Sequence, residues 1–376
     1  MLPSYPESLR RAFARNLLRN ALRLKRGENL LIETWSATFP WALSLDLEAR
    51  ILGARPLLSV RDEASYWQSV RASPASQLGR GGSHELAALS ASDAYVSLYG
   101  PEDTLREERL PQAALRRIES KNHEMMRVIQ KQGIRCIRWD LGRTSEVWAR
   151  RYAVDLRSWR NELIDAAMVD PRAMQLDGAR IVRRLARGRE VRITHPNGTD
   201  LAVRLAHRRP KLDDGVIDDA DVKAGNMMMV VPAGVVSVTL DELHAEGRFV
   251  SNATGVLFTH NQEIPLSPGR WTFRDGTLQQ FSCARGGAQL RAALTHLKHP
   301  QVRAGQLSVG LNDRISNIPL LFDQSRGTIT FEIGRNVHMG GRSRSPHLFA
   351  YLDLTGGSLH IDGEAIVEHG KIVPLA

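Results

Sequence analysis

The chain has 376 residues, 42% hydrophobic and 24% charged, a composition able to fill more than one buried core. Its formal net charge is +10, with 44 arginines among 51 basic residues, which favours acidic partners at long range and leaves the fold open. Only two cysteines occur, and no apolar run reaches the roughly 18–20 residues that span a bilayer; a disulfide scaffold, a cysteine-built zinc cluster and a membrane span are excluded, and a cytoplasmic globular protein is expected.

Leu9, Phe13, Leu17, Ala21 and Leu24 recur at helical spacing and predict an amphipathic helix over 8–26. Arg10, Arg11, Arg15, Arg19, Arg23 and Arg26 fill its other faces and read as a solvated surface; a basic anchor for membrane or nucleic acid is the alternative. Apolar runs at 30–32, 56–60, 94–98 and 134–139 then alternate with helical segments at 40–52, 63–72 and 110–132. Strands separated by helices of this length imply βαβ units and a parallel sheet. Gly79-Arg80-Gly81-Gly82-Ser83 lacks the spacing of a phosphate cradle and reads as a turn. Helices over 148–168 and 173–185 are expected to connect this domain to the next.

After Gly188 the pattern becomes β-rich, with runs at 190–195, 201–207, 227–231, 235–240, 255–259, 270–273, 328–333, 348–354 and 358–361 and one helix at 287–297. The fold class expected is therefore α/β: an N-terminal parallel-sheet domain with a helical connector over 1–187, then a mostly antiparallel β-rich domain over 188–376. The acidic stretch from Lys211 through Asp213, Asp214, Asp218, Asp219 and Asp221 lacks the ligand spacing of a calcium loop and reads as solvated. His296 and His299 read as a surface pair, and Cys283 as a small buried side chain rather than a nucleophile, since no base adjoins it.

A set of glycine and aliphatic motifs in the second domain carries a resemblance. Pro196-Asn197-Gly198-Thr199-Asp200-Leu201, Pro232-Ala233-Gly234-Val235, Gly305 to Asn312, Gly327-Thr328-Ile329-Thr330, Gly340-Gly341, Tyr351-Leu352-Asp353 and the closing Asp362-Gly363 and Gly370-Lys371 keep a fixed order. Leu24 to Ile32 adds a matching helix-to-strand passage in the first domain. This order is similar to that of the aminopeptidase S/T-type metalloaminopeptidases and of the related 2,5-dihydroxypyridine dioxygenases. The resemblance implies a metal site built from two glutamates, two histidines and an aspartate. Position by position, those ligands fall on Val235, Gln306, Thr330, Tyr351 and Asp353, so only the aspartate survives. A catalytic metal needs about three protein ligands and an open position, so no metal cofactor and no family-type catalysis are expected.

The remaining groups suit binding. Gln306, Thr330 and Tyr351 each donate and accept hydrogen bonds, and Asp353 without a metal calls for a cationic partner. Arg342 or Arg344 in the nearby loop could supply that charge, as could a bound amine, with His347 close in sequence. The expectation is a catalytically degenerate member that binds a peptide or small amine-bearing ligand and presents a precursor peptide in natural-product biosynthesis; the resemblance also implies a homodimer. The competing expectation is an active aminopeptidase or ring-cleaving dioxygenase rewired onto Asp353, His347 and Glu332. Nucleic-acid binding through Arg11, Arg15 and Arg19 ranks behind both.

Overall fold

The computed structural model describes residues 4–74, 77–78, 82–259, 262–295, 302–316, 318–344 and 348–374. Residues 79–81 of the glycine-rich turn, the His296 and His299 pair, and His347 lie outside the described residues. The chain divides into two compact units, Met1–Met168 with Gly215–Ala233, and Val169–Asp214 with Gly234–Ala376.

In the first unit the elements run α1 (Glu7–Asn16), β1 (Asn29–Trp35), α2 (Phe39–Ile51), β2 (Arg55–Arg61), α3 (Glu63–Ala72), α4 (Ser83–Ser90), β3 (Ala94–Leu98), α5 (Gln112–Gln132), β4 (Arg135–Trp139), α6 (Glu146–Tyr152) and α7 (Leu156–Ala166). The strands form the parallel sheet that the alternation predicts, in the order β2-β1-β3-β4. The first helix is shorter than the apolar spacing suggests. After Asn16 the ladder widens by one residue, the Leu22 N–H reaching back to the Leu17 carbonyl at 2.8 Å, and the turn ends at Leu22. The expected helix over 148–168 is two helices, because Ala153 adopts a left-handed φ of 56° and Asp155 restarts the next helix by accepting from the Ser158 N–H at 2.7 Å.

The second unit begins at α8 (Pro171–Arg187), followed by β5 (Glu190–His195), β6 (Thr199–Leu205) and β7 (Lys211–Asp213). The chain then returns to the first unit for α9 (Asp219–Ala224) and β8 (Met228–Val231), which pairs parallel with β4. A cut at residue 188 therefore departs from the observed division on two counts. The apolar face of α8, through Met174, Ile181 and Leu185, belongs to the core of the second unit, and Met228–Val231 belongs to the parallel sheet of the first.

From Val235 the second unit is antiparallel: β9 (Val235–Ser251), β10 (Gly255–Thr259), β11 (Gln262–Leu266), β12 (Gly269–Arg274), β13 (Thr277–Cys283), α10 (Gly287–Thr295), β14 (Ala304–Gly310), β15 (Ile329–Gly334), β16 (Leu348–Leu354), β17 (Ser358–Ile361), β18 (Glu364–Glu368) and β19 (Lys371–Ile372). The sheet path runs β11-β10-β16-β15-β14-β9-β6-β5-β17-β18-β19, with β7 and β12 also on β9. The strand expected over 235–240 continues to Ser251, its first half pairing with β14 and β7 and its second with β6 and β12. Period-two alternation turns Val236, Val238, Leu307, Val309, Ile329, Phe331, Ile333, Ala350 and Leu352 into the hydrophobic core. Two glycines of the family-like frame are demanded by close backbone approach: Gly234, at φ 130°, passes Asn312 where a Cβ would come within 2.7 Å, and Gly327, at φ 78°, passes the Gly370 carbonyl where it would come within 1.9 Å.

The arginine face of α1 is partly committed to the fold. Arg11 Nε and Arg15 Nη1 donate to the Glu48 Oε1 at 2.7 and 3.0 Å, and the Glu48 side chain is 3% exposed. Beside this ion pair Phe13 stacks on Trp139 at 4.0 Å and meets Trp41 edge-on at 5.4 Å. Glu48→Gln leaves two guanidinium groups without their charge partner at a packed helix contact and is expected to cost about 1–3 kcal/mol in urea unfolding. A loss below the error of that measurement would show that the pairs are surface decoration.

Candidate functional site

The residues opposite the hydrophobic core on β9, β14, β15 and β16 form a polar sheet face. Strand register arranges them in rows. Ser237, Ser308, Thr330 and Asp353 lie side by side, and the next row holds Thr239, Gln306, Glu332 and Tyr351, continuing to Val256 on β10. A third row brings Phe349 beside Phe258. Val235 sits one row before the first, opposite Gly310 and Asp213. All five positions that the resemblance assigns to metal ligands thus share this face. Ser237, Thr239, Gln306, Ser308, Thr330, Glu332 and Asp353 are each 7% exposed or less, a concentration of buried polar groups that packing alone does not favour.

Hydrogen bonding on this face is incomplete. Thr330 Oγ1 donates to Asp353 Oδ1 at 2.5 Å, and Thr239 Oγ1 donates to the Met339 carbonyl at 2.7 Å. Gln306 Nε2 donates to Ser308 Oγ at 3.3 Å. Among the described residues, the Gln306 Oε1 and both carboxyl oxygens of Glu332 have no hydrogen-bond partner. Buried polar atoms are nearly always paired, so three such atoms on neighbouring residues require an explanation.

A short turn, Phe322–Gln324, brings another acid to the same cluster. It is fixed against the end of β14 by the Leu311 and Asn312 N–H groups, which donate to the Gln324 carbonyl at 3.1 and 2.9 Å. Burial pushes Asp323 up to about 8, with Asp353 and Asp213 adding repulsion, and burial pushes Glu332 up to about 8, with Asp323 adding. Burial raises Asp353 to about 7 against the opposing hydrogen bond from Thr330. Tyr351 is held well above the ordinary phenol range by burial and by the negative charge of Glu332, Asp323 and Asp353. The expected solvated acidic loop is thus divided: Asp213 is half-buried on β7 within this cluster, while Asp218 caps α9 by accepting from the Ala220 and Asp221 N–H groups.

Neither of the arginines proposed from the sequence to balance Asp353 is among the groups that shift it. The Arg342 N–H donates to Glu242 Oε1 at 2.6 Å while its side chain, like that of Arg344, is exposed. Glu242 is instead the hub of a neutralised knot. Arg208 grips it with two hydrogen bonds of 2.7 and 2.8 Å, and Asn336 Nδ2 donates at 2.9 Å. Burial alone would raise Glu242, but these donors bring it down to about 2. Strand β9 therefore carries one buried carboxylate that is fully compensated, by Arg208 and by donors from the segment after β15, in contrast to Glu332. Sequence reasoning missed Asp323, Ser237, Thr239 and Ser308 as members of the face; only the alternation along β9 and β14 could have signalled the last three.

The donor set does not fit the metal that the resemblance implies. Gln306, Thr330 and Tyr351 stand at three of its ligand positions and Val235 at a fourth, and among the described residues no three His, Cys, Asp or Glu side chains come together in a group able to hold a metal ion. Cys283 is half-buried with its thiol raised by burial, consistent with a packing role.

The raised acids set a pH dependence. Groups whose folded pKa lies above the unfolded value hold protons that the unfolded chain releases, so their contribution is favourable at about pH 4 and is lost as pH rises through about 8. Each such group contributes a slope of up to about 1.4 kcal/mol per pH unit. Glu332→Gln keeps the shape and removes the titration; it is expected to leave urea stability little changed near about pH 4.5 and to raise it by one to several kcal/mol near about pH 8. An equal effect at both pH values would show that Glu332 does not titrate in this range.

Comparison with known proteins places this geometry. A family model described as 2,5-dihydroxypyridine 5,6-dioxygenase (NicX) matches residues 166–374, which contain every residue of the polar face. The solved structure of the 2,5-dihydroxypyridine dioxygenase from Pseudomonas putida KT2440 superposes with a TM-score of 0.65 at 14% identity, covering 99% of both chains. Wild-type AmpT from Thermus thermophilus superposes with a TM-score of 0.69 at 16% identity, covering 98% of this chain and 100% of that one. At such identities the two structures share the fold. A urease accessory protein, UreE, from Corynebacterium glutamicum is 29% identical over 93 residues, or 24% of this chain, which spans about half (55%) of that protein. By the extent of the family match and the shared fold, the chain belongs to the 2,5-dihydroxypyridine 5,6-dioxygenase family.

Proposed function

We propose that this chain is a binding member of its family, which takes the free amino group of a peptide, or of a small amine-bearing ligand, on the polar face of β14, β15 and β16. One observation carries the reading: the Gln306 Oε1 and the two Glu332 oxygens, on residues paired directly across β14 and β15, are three buried acceptors without partners among the described residues. An ammonium group has three N–H donors and one positive charge. It would satisfy all three atoms and offset the desolvation of Glu332, while Asp323 adds negative potential as it ionises with rising pH. Thr330 and Tyr351 add neutral hydrogen-bonding groups suited to a peptide backbone. Nothing in this set supplies a base activated by a partner or a cation to stabilise an oxyanion, so the reading is retention rather than cleavage.

In this reading the protein is a cytoplasmic homodimer that presents a precursor peptide to modifying enzymes, as natural-product biosynthesis would use it. Among the described residues no helix is long and apolar enough to cross a membrane.

Thermal unfolding with alanyl-alanine and N-acetyl-alanyl-alanine tests the proposal. The free amine at ~100 times its Kd is expected to stabilise the chain by about 2.7 kcal/mol. The acetylated peptide is expected to give no shift, and Glu332→Gln to weaken binding of the free amine at least ~10-fold, the loss of one charge-assisted contact. Equal binding of the acetylated peptide would overturn the proposal. So would purified protein that carries stoichiometric iron or zinc and cleaves the dipeptide, the outcome that favours a rewired enzyme using Asp353 and Glu332.

A further inference from the structure

The row beyond Tyr351 is apolar and aromatic. Phe258 of β10 stacks on Phe349 of β16 with ring centroids 4.5 Å apart and planes 18° apart, and Tyr351 meets both rings edge-on, at 6.0 and 5.9 Å. Alternation puts Phe349, Tyr351 and Asp353 on the same side of β16, and pairing puts Phe258 on that side of β10. All three rings are half-buried, whereas the aromatic rings of the opposite, core face, such as Phe331 and Phe249, are fully buried. Successive rows on a sheet face lie about 7 Å apart, and diagonal neighbours about 7–8 Å. The aromatic row therefore stands one residue's reach from the unpartnered oxygens of Glu332 and Gln306, with Tyr351 between them.

From this juxtaposition we infer that the face discriminates by the group attached beside the amine: Phe258, Phe349 and Tyr351 form a subsite for an aromatic or large apolar side chain on the residue whose ammonium docks at Glu332 and Gln306. The inference rests on the amine-binding reading and adds the class of ligand to it. Glycine-like amines leave the exposed parts of the Phe258 and Tyr351 rings in water. A phenylalanyl group covers it, with the edge-on and offset contacts that aromatic rings favour. The ring of Tyr351 and the flanking carboxyl groups also make the border between the two subsites attractive to a cation, which directs the charged end toward Glu332 and the apolar end toward Phe258.

Titration calorimetry with glycinamide, phenylalaninamide and N-acetyl-phenylalaninamide tests this on the full chain. Phenylalaninamide is expected to bind at least ~10-fold more tightly than glycinamide, the value of an apolar side chain removed from water. The acetylated compound is expected not to bind measurably. Phe258→Ala is expected to collapse the ratio between the two amines toward one, and Phe258→Leu, which keeps apolar bulk, to retain part of it. Circular dichroism establishes that each variant is folded, and the ratio for the unaltered chain is a readout that needs no variant. Equal binding of the two amines, or a preference that survives Phe258→Ala in folded protein, overturns the subsite while leaving amine binding standing. Failure of both amines to bind, or binding of the acetylated compound as well as phenylalaninamide, overturns the amine reading and the subsite with it.

Discussion

A carboxyl group held out of water without a cation is the constraint on which the second unit turns. Glu332 is 1% exposed and neither of its oxygens is hydrogen-bonded among the described residues, and the neighbouring Asp353 has the Thr330 hydroxyl for its donor. Moving an ionised carboxylate into such a place costs several kcal/mol, so the group keeps its proton or finds a positive charge. Glu242 shows what the same fold does when it compensates a buried carboxylate: a bidentate arginine, an asparagine amide and a backbone N–H converge on it. The contrast between the two glutamates lies in their surroundings. Glu242 ties β9 to the segment after β15 and is a structural pin; Glu332 has no such donors among the described residues.

The strand alternation makes that contrast unavoidable. Apolar residues on one side of β9, β14, β15 and β16 must face the core, and a slip of one residue would bury Ser308, Thr330, Glu332 and Asp353 in it instead. Register is thus fixed by the hydrophobic side, and the polar side inherits its geometry. The glycines hold the ends of these strands where backbones nearly touch, as Gly327 does against Gly370. These close backbone approaches involve no side chain of the polar face, although Thr239 of that face also holds the Met339 carbonyl beside Gly340.

Much of this was legible in the residues. The βαβ alternation up to Trp139 and the β-rich second half follow from local spacing, and the frame glycines locate Val235, Gln306, Thr330, Tyr351 and Asp353 on what proves to be one face. What escaped local reading depends on contacts distant in sequence. Asp241 and Glu242 look like the end of a strand, yet β9 runs on to Ser251 because Arg208 and Asn336 neutralise Glu242 from elsewhere in the chain. Met228–Val231 has the composition of any strand, and only its pairing with β4 reveals that it returns to the first unit. Asp323 sits on a short turn with no local signature and becomes part of the cluster only through the backbone contacts of Leu311 and Asn312. The break at Ala153, by contrast, had a readable sign in Asp155, a helix-capping residue three before Ser158.

The composition of the polar face weighs against a purely structural role. Had the face only to be filled, leucine or glutamine at position 332 would pack there without the cost of a buried carboxyl group, and replacing buried charge by apolar bulk commonly stabilises a fold. Glutamine is in fact present one strand away at Gln306, and threonine at Thr330, so neutral polar residues fit this sheet. The acids that remain, Glu332, Asp353 and Asp323, burden the fold with mutual repulsion that grows as pH rises. A ligand that brings one positive charge removes that repulsion and supplies three hydrogen-bond donors in the same step. On that logic the strain in the free protein and the proposed affinity for an amine have one cause, and a substitution that relieves the first is expected to weaken the second.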